Sequence, residues 1–304
     1  LTAREWALPG LLFGLTFLST LFVGASYVGV PFEAMAGPRL LEGWTFAVPL
    51  MGILLAHELG HYVAGRLHGV DISPPFFIPM PLSLLGTMGA VIAMRSPLSD
   101  RRALLDVGAA GPLAGLVVAL PVLAWGLVTS DVQPLPEEGT YIIEGRGLLY
   151  LAMLYAIHGP LPDGHDVFLS APALAGWAGL LVTMINLIPV GQLDGGHVAY
   201  ALFGERQNAY GRAVHRALPF LGIAVSTVYV AGALAAGDGD LWGELSAGIH
   251  WLFWAGLLLV LRGASGGDHP PTERGSLGPW RRGVAILTLV FFVLLFMPSW
   301  IRTP

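Results

Sequence analysis

Residues His57-Glu58-Leu59-Gly60-His61 put two imidazoles and a carboxylate within little more than one helical turn. On a helix, residues four apart share one face, about 6 Å apart along the axis. Both imidazoles can therefore reach one ion at about 2.0–2.1 Å. Glu58 stands about 100° round the helix from His57, beside the ion, where it can take a proton from a water activated there. Two histidines leave a zinc site short of one protein ligand. A second polar island, Asn186-Leu-Ile-Pro189-Val-Gly191-Gln-Leu-Asp194-Gly195-Gly196-His197, offers Asp194, a hard oxygen donor. Two histidines, one aspartate and a water make an open, catalytic-type tetrahedral site. Other roles exist for the same residues. The histidines could pack in a bundle with Glu58 paired to an arginine. Asp194 could cap the helix that follows it, and Asn186 could bond between helices.

The elements that must position these groups lie in a membrane. Of 304 residues, 55% are hydrophobic and 12% charged, against a usual charged share of about 25%. Mean hydropathy is +0.69. Such a chain is neither disordered, nor a nucleic-acid-binding protein, nor an ordinary soluble enzyme; it reads as a polytopic membrane protein. There is no cysteine, so disulfides, catalytic thiols and thiolate ligands are excluded. A charged residue at the centre of a spanning helix costs about +2.5–3.5 kcal/mol. Metal coordination offsets that cost for His57, Glu58 and His61 together.

The sequence predicts an all-α polytopic fold with about seven transmembrane helices. The apolar segments are 8–28, 44–65, 106–128, 172–190, 217–235, 245–261 and 283–300. With the N-terminus inside, the inside segments hold Arg4, Arg66, Arg95, Arg101, Arg102, Arg206, Arg212, Arg216, Arg262, Arg274, Arg281 and Arg282. The outside segments hold only Arg39, Arg146 and Arg302, as the positive-inside rule requires. The inside connection 70–106 contains Pro74, Pro75, Pro79 and Pro81, then a Gly-punctuated apolar stretch, 82–94. It is too short and broken to span, and reads as β structure at the interface or re-entrant. The outside run 147–158 is also too short to span and reads as a surface helix. Residues 1–304 read as a single integral-membrane domain.

At this point HELGH, with NLIPVGQLDGGH following it in a second span, resembles the site-2 protease family of intramembrane zinc metalloproteases (peptidase family M50). Ala109-Ala-Gly-Pro-Leu-Ala-Gly115 and Gly176-Trp-Ala-Gly-Leu-Leu-Val-Thr-Met-Ile-Asn186 resemble it too, in the branch with plant-chloroplast and bacterial members. The resemblance implies His57, His61 and Asp194 as ligands of one Zn2+ per chain, with Glu58 as general base. Asn186 would be a polar group near the oxyanion. It further implies that the Pro-rich stretch and 82–94 together are the family's membrane-associated β-hairpin, which takes the substrate as an added strand at Gly86, Gly89, Ala90 and Val91. The partners implied are a transmembrane protein substrate, single-span by expectation, and the lipid bilayer. The expected location is a bacterial plasma membrane, with the N-terminus and the mouth of the site on the cytosolic side. Neither a PDZ nor a CBS domain is recognised within these residues.

A transporter with a metal in its path, a catalytically dead binding protein and another class of membrane metallopeptidase are the competing readings. Among weaker residues, His197 could support Asp194 or simply start a helix. His269 reads as a turn residue, and Asp106 as a partner of Arg101 or Arg102. The Gly111-x-x-x-Gly115 spacing reads as close helix packing.

Overall fold

The computed structural model describes residues 3–94, 98, 100–136, 141–237, 241–264, 268–272 and 275–303. Arg95 and Arg274, counted above, lie outside them. The helices are α1 (Ala3–Tyr27), α2 (Trp44–Leu67), α3 (Arg101–Val128), α4 (Leu148–His158), α5 (Ala171–Asn186), α6 (Asp194–Phe203), α7 (Arg206–Ala236), α8 (Leu241–Ser246), α9 (Ile249–Ala264) and α10 (Pro279–Leu295). Among the described residues, three two-stranded antiparallel sheets complete the fold. They pair β1 (Phe76–Pro79) with β2 (Thr87–Val91), β3 (Asp131–Pro134) with β5 (His165–Phe168), and β4 (Ile143–Glu144) with β6 (Ile301–Arg302).

Among the described residues, five helical stretches are long and apolar enough to cross a membrane: Glu5–Tyr27, Pro38–Leu67, Arg101–Val128, Arg206–Ala235 and Leu241–Val260. The expectation of about seven is not met by length alone. Each expected segment contains a helix, but α5 has 16 residues and α10 has 17, and the segment 245–261 is divided between α8 and α9. At 1.5 Å per residue, α5 covers only about 24 Å, against a hydrocarbon core of about 30 Å. Its sequence explains the shortfall. The chain leaves the helix after Asn186, where Pro189 and then Gly191, at φ +57°, cannot continue it. Protein rather than lipid surrounds α5: Ala173, Ala175, Trp177, Ala178, Leu180 and Met184 are at most 1% exposed. Similarly, α10 stops at Leu295, before Pro298. The expected surface helix is α4, which buries Tyr150 and Leu154, four apart, and leaves Leu148, Leu151 and Tyr155 exposed.

The expected inside segments meet at one end of the bundle. Trp6 of α1 packs edge-to-face on Tyr62 of α2 at 6.0 Å. Asp106 joins three helices there, but not through the partners expected of it. Arg281 of α10 holds it with a fork at 3.0 and 2.7 Å, and His68 approaches it at 2.8 Å. Arg101 instead donates to the carbonyl oxygens of Ala201, Leu202 and Gly275. The last carbonyls of a helix lack intrahelical donors, and Arg101 supplies them at the end of α6.

The hairpin expected of the Pro-rich stretch and 82–94 is β1–β2, with Phe76 opposite Val91 and Phe77 opposite Ala90. The register shifts before Pro79 pairs with Thr87. Gly89 takes up the shift at φ +89°, a conformation that favours glycine. The hairpin is docked on α1. Ser19 donates to the Gly86 carbonyl at 2.6 Å, Tyr27 donates to the Leu84 carbonyl, and Phe13 meets Phe77 edge-to-face.

Candidate metal centre

Helix α2 carries His57 and His61 one turn apart on a buried face, with Glu58 buried beside them. Glycines of α3 make room for the two rings. A Cβ at Gly111 would collide with Nε2 of His61, and one at Gly115 would sit 3.3 Å from Nδ1 of His57. From the other side, a Cβ at Gly60 would come within 2.5 Å of the Ala110 carbonyl oxygen. The Gly-x-x-x-Gly spacing is thus close packing, as expected, but what packs there is the candidate ligand pair.

His61 Nδ1 lies 2.7 Å from the Val107 carbonyl oxygen. A carbonyl can only accept, so Nδ1 carries the hydrogen and the Nε2 lone pair is left for an ion. Nε2 of His57 lies 3.1 Å from Nε2 of His61. Oδ2 of Asp194 lies 3.3 Å from the first and 3.2 Å from the second. Ligands of a tetrahedral zinc at about 2.0–2.1 Å are separated by about 3.3–3.4 Å. The three atoms therefore have the spacing of one face of such a site. Among the described residues, this is the one group of three or more such donors able to share an ion. Its chemistry fits Zn2+: two neutral imidazoles, one carboxylate and an open fourth position.

Asp194 is the first residue of α6, but its side chain does not cap the helix; Leu193 holds the N-cap position without a side-chain bond. The carboxylate turns to the histidines instead. The two glycines after it allow this turn. A Cβ at Gly195 would collide with the Leu187 carbonyl, and one at Gly196 with that of Gly191. Asn186 ends α5, with Nδ2 3.4 Å from Nε2 of His57, at the rim of the ligand triangle.

A cavity of about 230 Å³ joins His57, Glu58, His61, Asn186 and Asp194 to Ala90 and Val91 of β2. Two of the expected substrate-contacting positions thus border the candidate centre. Gly86 and Gly89 do not line this cavity. Gly86 lies in the hairpin turn at φ +74°, against Ser19 and Thr20 of α1, and the Gly89 N–H donates to the Thr87 hydroxyl at 3.0 Å.

The profile of peptidase family M50 matches residues 45–229, which contain both polar islands and the hairpin. The chain belongs to peptidase family M50. Its family relatives include "Probable zinc metalloprotease EGY1, chloroplastic" of Oryza sativa subsp. japonica, 30% identical over 84% of this chain and 40% of the relative. The protein of that name in Arabidopsis thaliana is 30% identical over 92% of this chain and 47% of the relative. "Probable zinc metalloprotease EGY2, chloroplastic" of Arabidopsis thaliana is 31% identical over 66% and 36%. This M50 chain spans less than half the length of these curated relatives. No solved structure matches it.

The motif reading had no place for two groups at this M50 centre. Val107 contributes a backbone carbonyl, which no side-chain motif can announce. His269, read as a turn residue, touches His197, which lines the cavity. Only its place in His269-Pro270-Pro271 marked it in the sequence.

Proposed function

We propose that the chain is an intramembrane zinc endopeptidase that cuts a transmembrane segment of a membrane-protein substrate. The observation that carries this reading is one cavity bordered by three zinc-spaced donors, a second acidic group that is not a ligand, and a strand edge. His57, His61 and Asp194 would hold the ion. Bound zinc supplies Lewis acidity, lowering the pKa of a water to about 7 and polarising the scissile carbonyl. Glu58 takes the proton of the attacking water and delivers it to the leaving amine. Asn186 Nδ2 donates to the oxygen on which negative charge develops. A transporter reading gives Glu58 no task beside the ligand pair.

A helical substrate hides its peptide groups in its own hydrogen bonds and must unwind before it is cut. In lipid, the groups freed by unwinding need partners. The Ile92 N–H and C=O, which continue β2 along the cavity, have no partner among the described residues. A substrate strand laid on this edge satisfies both chains. The test uses purified chain in vesicles with a single-span substrate. Cleavage should require zinc and stop on chelation. Successive N–H groups of β2 face opposite sides, so proline at Ala90 or Val91 removes a donor from the free edge at one position and from the ladder to β1 at the other. It should weaken cleavage severalfold with zinc retained, whereas Val91→Ile should change little. Wild-type cleavage by both proline variants would end the strand-addition reading. Chelator-resistant cleavage would end the zinc one.

We assign the end carrying Arg66, Arg101 and Arg281 to the cytosolic side or its organellar equivalent, by the positive-inside rule. The relatives' names place them in chloroplasts. The absence of native cysteine makes Arg102→Cys and Val132→Cys clean probes. An impermeant thiol reagent added outside should label the second and spare the first. The reverse pattern would invert the topology.

A further inference from the structure

His197 follows Asp194 by three residues, so it lies near the same face of α6. It lines the same cavity and is 7% exposed. Its Nδ1 is 2.8 Å from Nε2 of His269, and Nδ1 of His269 is 2.7 Å from the Pro270 carbonyl oxygen. The carbonyl fixes the protons along this chain. It can only accept, so His269 Nδ1 carries a hydrogen. In a neutral His269, Nε2 is then the acceptor, and Nδ1 of His197 must donate to it. Burial pushes the His197 imidazole down to about 4, so it is neutral at pH 7. Nε2 of His197 is therefore a bare lone pair. It is not among the buried side-chain atoms left without a partner, and it makes no hydrogen bond with the described residues, which leaves it open to the cavity.

The ring that orients His197 is itself held. The His269 N–H donates to Oδ1 of Asn208 at 3.0 Å, and its imidazole stacks on Tyr200 with centroids 4.1 Å apart. His269 is thus a fixed bracket on α6 and α7, and His197 cannot turn without breaking its bond to that bracket.

We propose that Nε2 of His197 accepts a hydrogen bond from a substrate backbone N–H that faces away from β2. The inference rests on the strand-addition reading above. An extended strand directs its N–H and C=O groups alternately to either side. Pairing with β2 satisfies one side only. The groups on the other side face a cavity in which unpaired backbone is costly. Asn186 offers a donor there, and His197 is an acceptor whose other nitrogen is already committed.

The experiment compares wild type, His197→Asn and His197→Gln on a synthetic single-span substrate. In the substrate, amides flanking the scissile bond are replaced one at a time by esters, which lack the N–H. Asn can keep the donor to His269 but has no atom where Nε2 stood. Gln places an acceptor near the Nε2 position. His197→Asn should retain stoichiometric zinc and its melting temperature while kcat/KM falls about five- to tenfold, the worth of one hydrogen bond. One ester substrate should suffer a similar loss with wild type and no further loss with His197→Asn. His197→Gln should recover part of the rate. Unchanged kcat/KM in His197→Asn, additive losses at every ester position, or loss of zinc would overturn the proposal. If wild type cleaves the all-amide substrate and the proline variants at β2 cleave it equally well, the strand reading falls first. If wild type leaves that substrate intact, the endopeptidase reading falls, and this inference with it.

Discussion

Glu58→Gln should bind zinc as wild type does and hydrolyse substrate about 10²–10⁴ times more slowly, the usual worth of a general base. The substitution keeps the side chain's length and one carbonyl oxygen but removes the group that can hold a proton from water. Glu58 is not one of the three donors within reach of a shared ion, so the metal has no reason to leave. Nor should the fold suffer. Glu58 is 7% exposed, and exchanging a buried carboxylate for an amide lowers a desolvation cost. Zinc per chain, melting temperature and single-turnover rate on one preparation separate these effects. A near-normal rate with zinc in place would remove Glu58 from the chemistry.

The second large effect comes from a residue that ligates nothing. Gly111→Ala should strip the metal. The added methyl would occupy the place of the His61 ring at Nε2, the atom that must face the ion. The ring can yield only by turning, which breaks its bond to the Val107 carbonyl. Parting the helices instead would give up the close packing of Gly60 against the backbone of Ala110. Disturbing a group that merely orients a ligand lowers metal affinity about 10–100-fold; displacing the ligand ring should cost at least that. Gly52→Ala is the control: it lies on α2, and nothing is within 4 Å of its added Cβ. It should keep its zinc and gain about 0.5–1 kcal/mol of helix stability. Elemental analysis decides. Full zinc occupancy in Gly111→Ala would show that α3 yields despite that packing.

Much of the candidate centre was readable in the residues because it obeys local rules. His57 and His61 are four apart on one helix, and Asp194 sits in an Asp-Gly-Gly turn that only small residues allow. Proline and glycine likewise marked the hairpin, since they forbid a helix through 70–94. What was not readable depends on distant packing. Asp106 finds Arg281, 175 residues away, and His197 finds His269, 72 residues away; no periodicity encodes such pairs. Gly111 was legible as a small residue, but not as the floor under a particular imidazole. The count of about seven spans is not confirmed, because apolar length measures what a segment could do in lipid. The 16-residue α5 is instead surrounded by other helices, and apolarity reads the same in either setting.

The burial of α5 bears on how the protein comes into being. The two imidazoles are synthesised early, on a helix long and apolar enough to enter the bilayer by itself. The carboxylate comes later, after a helix too short to cross unaided, whose resting place is a slot between α2 and α3. Until that slot is filled, the growing chain holds only two of the three donors that meet at the candidate centre. Completion of that centre is therefore a docking event, set by the packing of α5 rather than by the order of synthesis.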